Sequence, residues 1–372
     1  MPGHVLLFSE SSEPGGAETV VLELATGLLE AGWPVQVVLM KRGWLFDAFV
    51  ERSITPHYLP SDRAFDLQFP LRLARLSRRL NTQLIHSHLP DSNAYACIAG
   101  AVTRVPVVAT YHALSDALRP VSRSERVRRW IVKTLARKVV AVSADMQREL
   151  VNRHHFPQNK VEVVYNGVDW RRFDTPLNRE QKRLDLGIPP QATVVGMVGV
   201  VRQVKGHAIA IHALARLRAS LPNLLLLVAG HEHAEYKREL QDLARQQGVG
   251  DQVIFLGFRS DVAEVIRCMD VCVMPSWSEG HPLATIEAMG SRVPVIASDV
   301  GGHPEIIKDG VTGYLVPAGN DELLAKRVQT LLAEPAEAHM LAERAAQSVR
   351  ERFSHSRMLS AHEDLYRQCL GG

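Results

Sequence analysis

Residues 275–299 read PSWSEGHPLATIEAMGSRVPVIASD and place two glutamates, Glu279 and Glu287, on either side of Pro282. The run before them, DVCVM, is short and apolar and is ended by Pro275 and Ser276, the pattern of a buried parallel strand closing into a loop. Glu279 therefore falls on a loop at a strand's C-terminal edge. Pro282 suits the first turn of the next helix, where its missing N–H has no partner to lose, and LATIEAMG continues in helical rhythm. Glu287 lies near the start of that helix. The next strand, VPVIAS, follows within a few residues, so both carboxylates belong to one strand, loop, helix, strand unit. Open α/β sheets bind ligands at that edge.

The same alternation extends in both directions. HVLLFS, VQVVLM, ITPHYL, TQLIHSHL, VPVVATYH, KVVAVS and KVEVVYNG form a first series of strands separated by helical stretches. TVVGMVGVV, NLLLLVAG, QVIFLG, DVCVMPS, VPVIAS and TGYLVPAG form a second, and the chain is helical from Asp321 onward. Apolar strands alternating with helices imply parallel sheets covered on both faces. At 372 residues the chain exceeds what one hydrophobic core usually supports. Two α/β domains are expected, residues 1–168 and 192–350, joined by a polar, proline-containing linker at 169–191. Two doubly wound domains facing each other would leave a cleft between their carboxyl edges.

Composition excludes several classes. No apolar run reaches the roughly 18 residues of a spanning helix, and HVLLFSE has too short an apolar core for a signal peptide, so a cytoplasmic location is expected. Cys97, Cys268, Cys272 and Cys369 read as buried free thiols, because Cys268 and Cys272 have no second pair to complete a zinc site. Net charge is only +3, but the chain through residue 180 holds 23 Lys and Arg against 18 Asp and Glu. Arg119–Lys138 alone has eight basic residues and one acidic. Within it Arg126, Arg129, Lys133 and Arg137 recur at helical spacing, with Val127, Trp130, Ile131 and Leu135 on another face. Such a helix is either a solvated surface or a contact for an anionic membrane or phosphorylated substrate. No nucleic acid is expected as a partner, since no helix-turn-helix, zinc or single-strand module accompanies the charge.

Several loops after strands carry chemistry. Gly15 and Gly16, after the first strand, let backbone approach a ligand at a helix start, as they would also serve a plain tight turn. Their spacing is not the GxGxxG of dinucleotide sites, which counts against NAD. His112 ends another strand at the same edge; His86 and His88 lie in LIHSHL, His86 within the strand and His88 at its end. In the second series Arg202 and Lys205 lie on the loop just before Gly206. Arg offers a planar fork to phosphate oxygens and Lys a mobile point charge. Cations on a loop are often merely solvated. Beside a carboxylate pair that can accept hydrogen bonds from vicinal hydroxyls, they point to a diphosphate attached to a polyhydroxyl group.

EGHPLATIE, AMGSRVPVIASDVGGHPEII, DGVTGYLV and PAGN, with GGAE near the start, VSADMQREL and YNGVD before the second domain, and the Arg202 and Lys205 loop, together resemble the retaining glycosyltransferases of family 4 over nearly the whole chain. The resemblance implies an α/β GT-B fold, two facing Rossmann-like domains with an interdomain cleft, and residues 351–372 as a C-terminal helix crossing back to the first domain. It implies a Leloir enzyme moving a sugar with retention from a nucleotide diphosphate sugar, UDP-sugar before GDP-sugar. The positive charge of RLARLSRRL and of the Arg126 to Arg137 stripe, both in the half that the family uses to bind acceptor, leads to a lipid-linked saccharide or cell-surface polysaccharide precursor as the expected acceptor. Glu287 would hold the ribose and Glu279 the donor sugar. Arg202 and Lys205 would stabilise the leaving diphosphate, helped by N–H groups around Pro282 and Leu283. His112 would touch the transferred sugar, Gly16 would lie by the phosphate and acceptor, and Phe258 and Arg259 would frame the base. No metal and no tightly bound cofactor are expected: the chain has no Asp-x-Asp triplet, and the two cations can do the same electrostatic work. The residue after Gly280 is often phenylalanine in that family and is His281 here, a change expected near the sugar pocket. A same-fold epimerase or phosphorylase and a non-catalytic nucleotide-sugar or glycan-binding protein are the competing readings. An anionic membrane surface, met peripherally, is a further expected partner.

Overall fold

The computed structural model describes residues 3–61, 66–113 and 122–371. The chain divides into two compact units, Met1–Gly167 together with His355–Gly372, and Val168–Ser354.

The first unit is built on β1 (Val5–Ser9), β2 (Val35–Leu39), β3 (His57–Tyr58), β4 (Leu84–His88), β5 (Val107–Tyr111), β6 (Lys138–Ala141) and β7 (Val161–Val163). Their order in the sheet is β3-β2-β1-β4-β5-β6-β7 and every pairing is parallel. β1, β4 and β5 are buried along their whole length, which is why they read as unbroken runs rather than as alternation. β3 is shorter than ITPHYL suggests. It is an edge strand, and Pro56, lacking an N–H, precedes its two paired residues. The helices Phe69–Arg79, Pro90–Thr103 and Arg123–Leu135 pack successively against one another. Phe8, Phe69, Ile85, Cys97 and Val107 belong to one core, with Phe8 and Phe69 stacked at 5.6 Å between centroids.

The helix His355–Gly371 belongs to this unit and packs against Gly16–Glu30. Trp33 Nε1 donates to Glu363 at 2.7 Å, and Tyr366 is fully buried. Gly27 is what lets the two helices approach, since a Cβ there would stand 2.6 Å from the His355 ring.

The second unit holds β8 (Thr193–Val198), β9 (Leu224–Ala229), β10 (Val253–Phe255), β11 (Val271–Met274), β12 (Val295–Ser298) and β13 (Tyr314–Val316), in the order β10-β9-β8-β11-β12-β13, again all parallel. The segment 169–191 is not an isolated tether. It contains the helix Arg179–Asp185, whose buried Arg183 donates to the carbonyls of Cys268 and Ala192 and to Asp270. All four cysteines are free and buried.

In each sheet the strand order reverses once, between β1 and β4 and between β8 and β11. Such switch points open a crevice beyond the carboxyl ends of the two strands, where α/β sheets hold ligands.

Candidate functional site

The loops after β8 and β11 are locked together at the second unit's switch point. Gly206 has φ +72, and a Cβ on it would stand 1.9 Å from the Pro275 carbonyl oxygen. Glycine alone meets both demands. Trp277 N donates to the Val204 carbonyl at 2.8 Å, closing the other side. This seats Lys205 beside Glu279: Nζ donates to Oε1 and Oε2 at 2.7 and 2.8 Å, and Ser276 Oγ donates to Oε1 at 2.7 Å. The Glu279 side chain is 8% exposed. Burial pushes its pKa up, but the Lys205 ammonium, nearby His303 and the hydrogen bonds from Lys205 and Ser276 outweigh burial and hold it below the usual value. Gly301 and Gly302 crowd the backbone behind it, with the carbonyls of Glu279 and Gly280 at 1.9 and 2.1 Å from where a Cβ would be. His303 Nδ1 donates to the Ser298 carbonyl at 2.9 Å, leaving Nε2 to accept from Thr285 Oγ1 at 3.1 Å.

Glu287 is buried in the helix Leu283–Gly290. Pro282 caps that helix rather than sitting in its first turn, with φ −73 and ψ 112. The free N–H groups therefore begin at Leu283; Pro282 has none to offer. His281 is buried with its ring edge-on to Phe353, 4.7 Å between centroids, and burial, helped by Arg352 and His303, lowers its pKa to about 3. It fills the place of an aromatic ring as a neutral one.

Arg202 precedes the short turn Gln203–Lys205, and its Nε donates to His233 Nε2 at 3.0 Å. Phe258 is exposed and Arg259 is tied to Asp261 at 2.7 and 2.5 Å, both on the loop after the edge strand β10. Those hydrogen bonds, with help from Lys182, overcome burial and draw Asp261 down to about 2.

At the first unit's switch point, Gly16 opens the helix that follows β1, and a Cβ on it would meet nothing within 4 Å among the described residues. Glu10, also after β1, accepts from Ser92 N at 2.5 Å and Ser92 Oγ at 3.2 Å. Burial, reinforced by Asp91, raises its pKa to about 7. Asp91 is itself ion-paired with Arg128. His112 directly follows β5, and its Nε2 is bonded to His88 Nδ1 at 3.0 Å. Burial, with His362 nearby, lowers His112 to about 3, so it is a neutral ring.

The geometry thus joins Lys205, Glu279 and Ser276 in one unit and His112 with His88 in the other. Ser276, His303, Glu10 and the bond made by His88 were not assigned from sequence. His303 stands in the run VGGHPEII, so a motif marked it; for Glu10 no pattern did. One expectation is corrected. Arg129 is not part of an exposed basic stripe: it is buried and bonded to Glu125 and His154. The outward ridge of that helix is instead Arg123, Arg126, Val127 and Trp130, with Trp130 65% exposed. Arg119, where the basic run begins, lies outside the described residues.

Residues 178–348 match the model of the glycosyl transferases group 1 family, and residues 14–172 that of glycosyltransferase family 4. The D-inositol 3-phosphate glycosyltransferase of Saccharomonospora viridis is 32% identical over 305 residues, 77% of this chain and 70% of that one. Its counterpart in Mycobacterium marinum is 31% identical over 304 residues, 77% of this chain and 64% of that one. The chain thus spans about two thirds of the length of these relatives. Among solved structures, Anabaena HepE in complex with UDP-glucose superposes with a TM-score of 0.89 at 23% identity, covering 98% of this chain and all of the other. The fold is GT-B, two Rossmann-like domains. The chain belongs to glycosyltransferase family 4 of the group 1 glycosyltransferases. Among the described residues no group of three or more His, Cys, Asp or Glu is placed to hold a metal ion, and no helix is long and apolar enough to cross a membrane.

Proposed function

We propose that the chain transfers a sugar, with retention, from a nucleotide diphosphate sugar to a hydroxyl of a lipid-linked saccharide or cell-surface polysaccharide precursor, with UDP as the preferred carrier and GDP as its rival. The observation that carries this reading is the Lys205–Glu279 pair at a strand switch point in a family 4 chain. A lysine held by a carboxylate is already positioned at the switch point before a diphosphate arrives. Charge grows on the β-phosphate as the glycosidic bond breaks; Lys205 and Arg202 neutralise it there. Glu279 accepts from sugar hydroxyls, Glu287 from the ribose, and Phe258 and Arg259 border the base. The N–H groups from Leu283 onward, beside Pro282, reinforce the phosphate contact. His112 meets the transferred sugar, and Gly16 leaves room for phosphate and acceptor. The acceptor hydroxyl attacks on the face the phosphate leaves, and a phosphate oxygen takes its proton. HepE, which shares the fold, was solved with UDP-glucose, and that supports the donor class.

Purified protein incubated with a panel of UDP- and GDP-sugars and lipid-linked acceptors should release nucleoside diphosphate only when acceptor is present. Release of none with every donor, or an epimerised sugar nucleotide without transfer, overturns the reading. For the acceptor's setting, the ridge of Arg123, Arg126, Val127 and Trp130 combines cations with an exposed ring, which suits an anionic bilayer face. Flotation with anionic vesicles should show binding that fades with added salt and drops in the R126Q/W130A variant; no binding at any salt removes the membrane part.

A narrower result tests the ribose contact. Glu287→Gln keeps the size, removes the charge and turns one acceptor oxygen into a donor amide. Titration calorimetry should show UDP binding weakened by about 1.5–3 kcal/mol, the usual loss for one charge-assisted hydrogen bond. Unchanged affinity with an unchanged circular dichroism spectrum rules the contact out.

A further inference from the structure

A row of imidazoles runs along β4 and β5 of the first unit. His86 and His88 alternate along β4 and so share one face of the sheet; both are fully buried. His88 lies opposite Thr110 of β5, and His112 follows two residues on. His86 is fixed at both nitrogens, Nδ1 with Tyr366 Oη at 2.5 Å and Nε2 with Thr110 Oγ1 at 2.6 Å. Its ring lies 4.2 Å from that of His88, which in turn stacks on His112 at 5.3 Å and 22°. The row thus starts under the helix His355–Gly371, which supplies Tyr366, and ends at His112.

We propose that His88 is a positioning residue for the transfer reaction: through its Nδ1–H bond to His112 Nε2 it orients the His112 ring and leaves the His112 proton on Nδ1, as a hydrogen-bond donor to the transferred sugar. This rests on the contact between His112 and that sugar proposed above. Burial keeps both rings neutral, so each carries one N–H and a single proton occupies the bond between them. Two arrangements are open to the pair. If His112 donated, the remaining proton of His88 would sit on Nε2, which is buried with no partner among the described residues. Orphaned buried N–H groups are rare in folded proteins. If His88 donates, its Nε2 is a bare lone pair and no N–H is stranded. His112 Nε2 then accepts, and its Nδ1 must carry the hydrogen. A neutral donor suits a sugar hydroxyl, whose oxygen accepts at no cost in charge.

Long-range 1H–15N spectra of the protein labelled at histidine report which ring nitrogen is protonated, without any turnover. His112 should be the Nδ1–H tautomer in the native chain. In His88→Leu it should revert toward Nε2–H, the form favoured by free imidazole in water. Native His112 protonated at Nε2 overturns the proposal outright, and this measurement stands even if H88L does not fold. In kinetics, H88L should lose about ten- to hundredfold in kcat, the range seen when the partner orienting a metal-bound histidine is removed, with KM for the donor nearly unchanged. His88→Asn places an amide N–H where Nδ1–H stood and should keep most of the activity, whereas His88→Gln, whose amide reaches the Nε2 position, should not. Equal losses in H88L and H88N mean that His88 matters only for packing, and the proposal fails. His112→Ala with full turnover removes the sugar contact itself, whatever the spectra show of the pair; His112→Ala inactive with H88L fully active removes only the role of His88.

Discussion

Lys205→Ala is expected to lower kcat about 10²–10³-fold, the usual cost of deleting one group aimed at developing negative charge. It should also destabilise the second unit by about 3–5 kcal/mol, because it strips the counter-ion from a buried carboxylate. Both effects follow from the same contact: Lys205 Nζ holds the two oxygens of Glu279, which is almost fully enclosed. They separate in a double variant. In K205A/E279Q the buried charge is gone, the amide still accepts from Ser276, and urea unfolding should return most of the lost stability. Turnover should stay as low as in K205A. Unaltered kcat in K205A defeats the electrostatic role of Lys205, and recovery of turnover in the double variant would mean the lysine serves only to neutralise Glu279.

Mild acid is the second large expected effect. His86, His88 and His362 in the first unit and His207 and His281 in the second are buried with pKa values pushed far down, to about 4 for His207 and His362 and about 3 for His281, chiefly by burial. An unfolded chain protonates these rings below about 6.5 while the folded one does not. The unfolded state then binds more protons, so stability is fully present above pH 6.5 and falls as pH drops toward the folded values. At pH near 5.5 each ring costs between about 1 and 2 kcal/mol, so the three in the first unit and the two in the second each take a sizeable share of the stability of their own unit. Glu10 works in the opposite sense. Its raised pKa, about 7, favours the folded state at low pH, and that contribution is lost as pH rises through it, but the buried imidazoles outnumber it. Urea midpoints measured by tryptophan fluorescence should fall steeply between about pH 6.5 and 5.5. Midpoints that hold constant over that interval contradict the account.

The alternation of strand and helix was plain in the sequence because parallel strands buried on both faces leave unbroken apolar runs, and β1, β4 and β5 are such strands. Glu279 and Glu287 could be placed on a loop and a helix from the proline between them. What local pattern could not supply was partnership across long sequence separations. Nothing near Lys205 announces Glu279, 74 positions away, as its ion-pair partner. The contact depends on Gly206 meeting Pro275, which is a matter of tertiary approach. Helical periodicity likewise put Arg129 in a basic stripe, yet Glu125, one turn earlier, and His154, from a later segment, bury it. Nothing around His88, at the end of its strand, announces His112, which follows the adjacent strand, as its partner.

The membership of His355–Gly371 in the first unit has a consequence for biosynthesis. On a ribosome the chain emerges in order, so β1 to β7 and then the whole of Val168–Ser354 are available before that helix appears. Until it does, the Trp33 indole lacks Glu363 and the His86 Nδ1 lacks Tyr366. The face of Gly16–Glu30 that the helix covers is left wet meanwhile. The second unit can therefore close first, and the part of the protein translated earliest is the last to be completed. Nascent chains stalled just before His355 should consequently expose an apolar face of the first unit, a period in which such intermediates depend on chaperones to stay soluble.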